Sequence, residues 1–171
     1  MRALFVGRFQ PLHKGHVHAI KDAMKRYEVV IVIGSVGKRS FENPFSFRER
    51  KRMIESVFGK RLKIVGVRDF NDDERWVEEV EKKVKFDIVI SGNEWTRRCF
   101  RKAGYKLLYP KFLNPTKYSG KEIRRRIVEG KKWEHLVPEQ VVEIVKEVGG
   151  EERIKKLFER CKKEGNHENR C

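Results

Sequence analysis

The sequence predicts an α/β protein built on a doubly wound sheet of five parallel strands, with further helices at its C-terminal end. Short apolar runs rich in β-branched residues recur along the first two-thirds of the chain. Such runs are typical of strands that are buried on both faces. Segments with helical spacing separate them. Because strand and helix alternate, we expect a parallel sheet covered by helices on both faces, in a Rossmann-like arrangement.

Five apolar runs define the predicted strands. The second run reads Val-Val-Ile-Val-Ile and the fourth contains Ile-Val-Ile, a composition that suits burial on both faces of the sheet. The predicted strands are Ala3–Val6, Val29–Ile33, Leu62–Val67, Asp87–Ile90 and Tyr105–Tyr109.

Four predicted helices lie between or beside these strands. One of them follows Ser46, and Glu49 stands three residues later, which is the pattern of a capping box. Another places Trp76, Val77 and Val80 on one side, as an amphipathic helix does. The predicted helices are His16–Arg26, Phe47–Phe58, Glu74–Val84 and Glu94–Lys102.

The last third of the chain predicts three more helices. Ser119-Gly120-Lys121-Glu122 is a second capping box, and it opens a helix that runs to Glu129 and stops at Gly130. The next helix runs from Pro138 to Val148, and an amphipathic helix then extends to Lys163. No repeat or low-complexity linker divides the chain. We therefore predict a single domain over residues 1–163 and a flexible tail over residues 164–171.

The composition narrows the class of protein. The 171 residues include 41 Lys and Arg against 25 Asp and Glu, a formal net charge of +16. This charge suits nucleic acid, acidic lipid or a polyphosphate nucleotide, and does not choose among them. No run of about 18 apolar residues occurs, so no membrane-spanning helix is predicted. The odd number of cysteines and the lack of CxxC argue against a disulfide framework and a zinc ribbon, and favour the cytoplasm.

The first strand runs directly into the segment from Gly7 to His16, and a helix follows. Ligands of open α/β sheets bind at the carboxyl ends of the strands, and a helix N-terminus there can hold phosphate. Gly7 and Gly15 would let the backbone approach a ligand. His13 and His16 are three residues apart, so both can donate hydrogen bonds from one face. A metal site would need a third ligand, and none is near in sequence, so none is predicted.

Two segments carry a resemblance to a known family. Gly7-Arg8-Phe9-Gln10-Pro11, with His13-Lys14-Gly15-His16, resembles the signature of the nucleotidylyltransferase superfamily, and its fuller form resembles the archaeal nicotinamide mononucleotide (NMN) adenylyltransferases. Tyr118-Ser119-Gly120-Lys121-Glu122-Ile123-Arg124 resembles the second phosphate motif of that superfamily. Weaker matches, such as Ser91-Gly92-Asn93, extend the resemblance from residue 4 to about residue 155.

The resemblance implies a reaction and a set of partners. The 5′-phosphate of NMN would attack the α-phosphorus of ATP in line, releasing pyrophosphate and giving NAD without a covalent enzyme intermediate. ATP and NMN are then the small-molecule partners, and Mg²⁺ is expected to be carried with ATP. The resemblance also implies a homo-oligomer. Neither a membrane nor a nucleic acid is expected as a partner.

The resemblance also implies roles for particular residues. The predicted catalytic residues are His13, His16 and Arg8. Contacts with the ATP phosphates are expected from Gly7, Phe9, Gly15, Ser119, Gly120, Lys121 and Arg124. Contacts with NMN are expected from Gln10, Trp76, Gly92 and Asn93. By contrast, Trp95, Trp133, His18 and His135 are interpreted as packing or surface residues.

Some features leave alternatives open. Trp76 either stacks on the nicotinamide ring or packs in the core with Val77, Val80 and Val84. Lys121 stands where the superfamily has Thr or Ser, and Glu42 stands where some relatives have arginine for phosphate. These departures keep other acceptors open, namely phosphopantetheine, FMN or the substrates of a cytidylyltransferase.

A rival from another class is a non-catalytic RNA-binding protein, because residues 117–132 hold seven Lys and Arg against two Glu. That reading predicts aromatic residues among the basic ones, and this segment has one at its edge, Tyr118.

Overall fold

The structure is a computed structural model that describes residues 1–165 and residue 171. Its sheet has five parallel strands in the order β3-β2-β1-β4-β5. The strands are β1 (Arg2–Gly7), β2 (Glu28–Ile33), β3 (Lys63–Gly66), β4 (Ile88–Ile90) and β5 (Lys106–Leu108). All five predicted strands are therefore confirmed, and so is the doubly wound α/β fold class.

Seven α-helices accompany the sheet within the described residues. They are α1 (Lys14–Met24), α2 (Phe47–Phe58), α3 (Asp73–Lys83), α4 (Glu94–Lys102), α5 (Gly120–Val128), α6 (Glu139–Glu147) and α7 (Gly150–Lys163). Each of them was predicted. The first begins two residues earlier than predicted, at Lys14, because His13 is its N-cap.

The side chains of the strands alternate between two helical layers. Phe5 and Ile31 point into a core shared with α1, α2 and the C-terminal helices. Leu4 and Val32 point to the opposite face, into a core shared with α3 and α4. Because both faces are buried, nearly every strand position is apolar, which explains the continuous runs in the sequence.

The strand order places a crevice in the middle of the sheet. From β1 the chain moves outward through β2 and β3, then returns to the other side of β1 for β4 and β5. Neighbouring loops diverge at such a switch point, and ligands of open α/β sheets bind there. The loops that follow β1 and β4 are therefore the place to look for a site.

The cysteines depart from the sequence expectation. Cys161 in α7 forms a disulfide with Cys171, and their Cα atoms are 6.1 Å apart. The argument against a disulfide framework was thus wrong for this pair, because cysteine number and spacing do not reveal which thiols meet in space. The predicted tail over 164–171 falls largely outside the described residues. No helix in the described part of the chain has the length and apolar character needed to span a bilayer.

Candidate active site

His13 and His16 cap the first helix jointly. The main-chain N–H of His16 donates to Nδ1 of His13 at 3.2 Å, and the N–H of His13 donates to Nδ1 of His16 at 3.3 Å. Their rings stack with centroids 3.6 Å apart. The two histidines therefore form a reciprocal capping box, with imidazoles in the roles that Ser and Glu usually take.

This arrangement fixes the protonation of both rings. Burial lowers the pKa of His13 to about 3. The pKa of His16 is also well below its ordinary value, through burial and the nearby His13. Because each Nδ1 accepts a hydrogen bond, the single ring proton of each neutral imidazole is on Nε2. The start of α1 thus presents two neutral Nε2–H donors, together with the positive end of the helix dipole.

Three arginines surround the loop between β1 and α1. Arg8 is exposed, whereas Arg50 and Arg124 are buried. Burial and then the charge of Arg8 lower the pKa of Arg50 and of Arg124 to about 10. Arg50 donates to the carbonyls of Arg8 at 2.9 Å and Gly34 at 2.8 Å, which ties together the loops that follow β1 and β2. Asp69 and Glu49 act on Arg50 in the opposite direction, as Glu42 does on Arg124, but both pKa values stay lowered. A bound anion would therefore stabilise the cluster.

The glycines of the two phosphate motifs make room for side chains of the protein itself. A Cβ on Gly7 would lie 2.9 Å from the ring of Phe9, and one on Gly15 would lie 3.0 Å from the ring of His13. A Cβ on Gly120 would lie 2.8 Å from Nη1 of Arg124. The sequence predicts that Gly7 and Gly15 let the backbone approach a ligand closely. In the structure the absence of a Cβ at these two positions also allows Phe9 and His13 to pack.

A cavity of about 600 Å³ opens at the carboxyl ends of β1, β2 and β4. This volume falls in the range of small-molecule sites. Gly7, the last residue of β1, and Arg8, the first residue of the loop between β1 and α1, form part of its wall. Lys38 contacts Asp69 at 2.8 Å, and both of these residues line the cavity. Its other lining residues include Ser35, Phe70, Asn71, Asp73, Trp76, Asn93, Trp95 and Thr96.

Two of the predicted acceptor residues line this cavity. Asn93 is the N-cap of α4, where its Oδ1 accepts the N–H of Thr96 at 2.9 Å, which leaves Nδ2 as the polar group for a ligand. Trp76 is 1% exposed and packs edge-on against Trp95 and Phe100. This burial favours core packing, the alternative that the sequence left open for Trp76.

Gln10 lies elsewhere. Its side-chain amide donates to the carbonyl of Phe45 at 3.1 Å and accepts the N–H of Phe45 at 2.9 Å, and the residue is 3% exposed. Both ends of the amide are therefore used inside the protein. This geometry gives Gln10 a structural role in place of the contact with NMN that the sequence predicts. Gly92 is exposed and lies against the ring of Phe112, outside the cavity lining.

The second phosphate motif lies beside the first. Ser119 caps α5 by accepting the N–H of Glu122 at 3.1 Å. Lys121 is exposed and lines a second cavity of about 440 Å³, together with Glu42 and Arg124.

The remaining basic residues of α5 are occupied within the helix itself. Arg125 pairs with Glu122 and Glu129, and Arg126 pairs with Glu122. Much of the basic run over 117–132 is thus neutralised locally.

Sequence reasoning missed several residues of this site. Nothing in the sequence spacing identifies three of them as site residues, because they lie in loops or at a helix start: Lys38, Asp69 and Asp73. Trp95 was interpreted as packing or surface, although it lines the cavity. One signal could have found it, because it stands two residues after Asn93, just beyond a strand end.

The site has no ready-made metal cage. Among the described residues, no group of three or more His, Cys, Asp or Glu side chains is placed to hold a metal ion. The donors at the start of α1 are neutral imidazoles beside arginines, a set that suits phosphate oxygens.

Comparisons with known proteins identify the family of this chain. The profile of the cytidylyltransferase-like family matches residues 4–126. Two curated relatives, both named nicotinamide-nucleotide adenylyltransferase, come from Methanococcus aeolicus and Pyrococcus abyssi. The first is 41% identical over 92% of this chain and 95% of its own length. The second is 42% identical over 92% of this chain and 89% of its own length.

A solved structure is also similar. It is a bifunctional NMN adenylyltransferase/ADP-ribose pyrophosphatase from Francisella tularensis, complexed with AMP and a manganese ion, at a TM-score of 0.66 and 26% identity. The match covers 80% of this chain and 44% of that protein. The present chain therefore spans less than half of the bifunctional one.

Proposed function

The chain belongs to the cytidylyltransferase-like family of nucleotidyltransferases, beside the archaeal nicotinamide-nucleotide adenylyltransferases, and on that basis we propose that it joins ATP and NMN to give NAD and pyrophosphate. One observation carries the proposal. Arg8 lines the 600 Å³ cavity, and the loop that it begins is held by two buried arginines, since Arg50 donates to the carbonyl of Arg8 and Arg124 to that of Gln10. A phosphate held there would lie between an acceptor cavity and a triphosphate site.

The residues support a direct displacement. An oxygen of the NMN 5′-phosphate forms a bond to the α-phosphorus of ATP, while the bond from that phosphorus to the bridging oxygen breaks. The electron pair of that bond leaves with pyrophosphate. The nucleophile is already an anion, so the protein needs to position the groups and stabilise charge.

We assign the phosphate contacts as follows. Nε2–H of His13 and of His16 donates to oxygens of the ATP phosphates, with His16 nearest the α-phosphate. Arg8 neutralises charge on the reacting phosphates. Arg124, which lies in α5, binds the β- or γ-phosphate. The helix N-termini at His13 and Ser119 add main-chain N–H groups and favourable dipoles.

Mg²⁺ enters this proposal as part of the ATP substrate. Mg²⁺ usually keeps several waters and binds through substrate phosphates with few protein ligands. The similar Francisella structure contains a metal ion together with AMP. A homo-oligomer, which the resemblance implies, stays a prediction.

A screen for pyrophosphate release tests the proposal. ATP or CTP is combined with NMN, nicotinate mononucleotide, FMN or phosphopantetheine, with Mg²⁺ present throughout. We expect release with ATP and NMN, and a product with the mass of NAD. Release with CTP or with another acceptor alone would replace the proposed reaction by that of a different nucleotidyltransferase. A steeply salt-dependent affinity for RNA with no pyrophosphate release would favour the RNA-binding alternative.

A further inference from the structure

We infer that Arg50 is a positioning residue for Arg8. From the first turn of α2 its guanidinium holds together the loops that follow β1 and β2, and α7 supports it there through the pair of Arg153 and Glu49. The inference rests on the proposed function, because it concerns the phosphate contact that is assigned to Arg8. It adds a residue that touches no substrate, and it gives the C-terminal helix a part in the reaction.

Arg50 is a buried cation whose hydrogen bonds all go to main-chain oxygens. The residue is 1% exposed. Its Nε donates to the carbonyl of Ser46 at 3.2 Å, and its Nη1 donates to the carbonyls of Arg8 at 2.9 Å and Gly34 at 2.8 Å. No carboxylate of the described residues forms an ion pair with it. Because burying an ionised group costs far more than burying an apolar one, the hydrogen bonds to these carbonyls are the reason for an arginine at this position.

The two loop carbonyls lie where the strands β1 and β2 separate. The N–H of Gly34 donates to the carbonyl of Gly7 at 3.0 Å, beyond the last residue pair of the two strands. Arg50 then bridges the next carbonyl of each segment, those of Arg8 and Gly34. Both of these residues line the 600 Å³ cavity, so the bridge fixes the distance between two parts of its wall.

The backbone next to Arg8 is strained. Phe9 has a φ of 54°, in the left-handed region that a phenylalanine rarely adopts. Such a conformation persists where the surrounding structure holds it, and the carbonyl that precedes Phe9 is one of those that Arg50 holds. Without the guanidinium we expect the backbone from Arg8 to Phe9 to relax, which would move the Arg8 side chain away from the reacting phosphates.

The C-terminal helix α7 holds the turn of α2 from which Arg50 acts. Nη1 of Arg153 donates to Oε2 of Glu49 at 2.7 Å and to the carbonyl of Pro44 at 3.1 Å. The same Oε2 accepts the N–H of Ser46 at 2.9 Å, which completes the capping box of α2. Because the carbonyl of Ser46 accepts Nε of Arg50, a contact from α7 reaches the loop between β1 and α1 through one helix turn.

A double-mutant cycle between Arg50 and Arg8 tests the inference, with kcat measured for NAD synthesis from ATP and NMN. Arg50→Met keeps an unbranched side chain and removes the donors to the loop carbonyls. We expect kcat to fall between about 10- and 100-fold, as a misplacement of about 1 Å can cause, while both KM values stay within about threefold. In an Arg8→Ala background the same change should cost less than about threefold, because the residue that Arg50 positions is gone. A residue that only stabilised the fold would cost equally in both backgrounds.

Two further positions complete the test. Arg48→Met is the matched control, because Arg48 is exposed on the same helix, and its kcat should equal that of the wild type. If Arg50→Met does not fold, Arg153→Met takes its place in the cycle: kcat should fall several-fold, and the fall should disappear in the Arg8→Ala background. Arg153→Lys keeps a donor for Glu49 and should recover part of the loss.

An unchanged kcat in a folded Arg50→Met protein would overturn the inference. So would equal losses with and without Arg8, or full activity of Arg8→Ala. If the wild-type protein makes no NAD at all, the proposed function fails first, and that result is distinct from an active protein that is indifferent to Arg50.

Discussion

Arg124 donates from Nη1 to the main-chain oxygen of Gln10 at 2.8 Å, across 114 residues of sequence. This hydrogen bond joins the two phosphate motifs, because Gln10 belongs to the first and Arg124 to the second. Gly120 lies against the bond, since a Cβ there would be 2.8 Å from Nη1 and 2.9 Å from the Gln10 oxygen. Because Gly120 has no side chain, it leaves room for this contact between the two motifs.

Gly120→Ala should separate the two motifs. The added methyl group has to displace either the Arg124 guanidinium or the backbone at Gln10. We expect a loss of about 1–3 kcal/mol in the free energy of unfolding, as for other overpacked sites, and a raised KM for ATP. Gly34→Ala serves as the control for stability in urea denaturation, because nothing lies within 4 Å of its added Cβ. Equal stability of the two variants would show that the site relaxes without cost.

His16→Ala should reduce turnover by at least about 10², the loss seen when a single donor to a developing charge is removed. The affinity for ATP should stay within an order of magnitude, because other donors still hold the triphosphate. His18→Ala is a matched control, since His18 is on the same helix and exposed. Near-normal turnover in a folded His16→Ala protein would remove His16 from the mechanism.

The stability of the protein should fall on mild acidification. The folded pKa values of His13 and His16 lie below their ordinary value of 6.5. Below pH 6.5 the unfolded chain therefore binds protons that the folded one does not. The free energy of unfolding then falls with decreasing pH, by up to about 1.4 kcal/mol per pH unit for each histidine. The contribution of His13 and His16 to the free energy of unfolding is fully present well above pH 6.5.

Urea denaturation at pH 7, 6 and 5 measures this slope. Arg125 and Arg126 hold the pKa of Glu122 at about 2. Its protonation therefore affects stability mainly at lower pH than this range. His13→Asn keeps an N-cap acceptor but does not titrate, so its slope should be shallower. A slope equal to that of the wild type would mean that His13 titrates normally in the folded protein.

Much of this architecture could be predicted because the pattern of apolar residues determines it. The run Val29–Ile33 is buried on both faces, and its composition indicates this directly. The capping box at Ser46 also follows from local spacing and is present. At Ser119 only the N-cap bond to the N–H of Glu122 forms, because the Glu122 carboxylate pairs with Arg125 and Arg126. These features depend on neighbours in sequence.

The features that could not be predicted depend on distant contacts. Gln10 stands in a phosphate motif, yet its amide is used by Phe45, 35 residues away. Arg50 looks like a surface residue of an amphipathic helix, but it is 1% exposed and donates to the carbonyls of Arg8 and Gly34. The edge-on contact between Trp76 and Trp95 depends on how α3 packs on α4, and sequence spacing does not encode that.

Lys121→Thr restores the usual superfamily residue at the start of α5. A lysine there opposes the positive end of the helix dipole, so the unliganded protein should be no less stable after the change. If the ammonium group contacts the β- or γ-phosphate, the KM for ATP should rise a few-fold and depend less on salt. Lys131→Thr removes one charge that pairs with Glu129 beyond the end of α5, and controls for net charge. An unchanged KM and salt dependence would mean that the backbone alone serves at this position.

The stereochemistry at the α-phosphorus tests the central claim most directly. A single diastereomer of ATP with sulfur on the α-phosphate is converted to the thio-substituted dinucleotide, and the configuration of the product is read by phosphorus NMR. Direct in-line attack by the NMN phosphate predicts inversion, because one displacement occurs at a site made of neutral histidine donors and arginines. Retention of configuration would require two displacements through a covalent enzyme intermediate and would contradict this account.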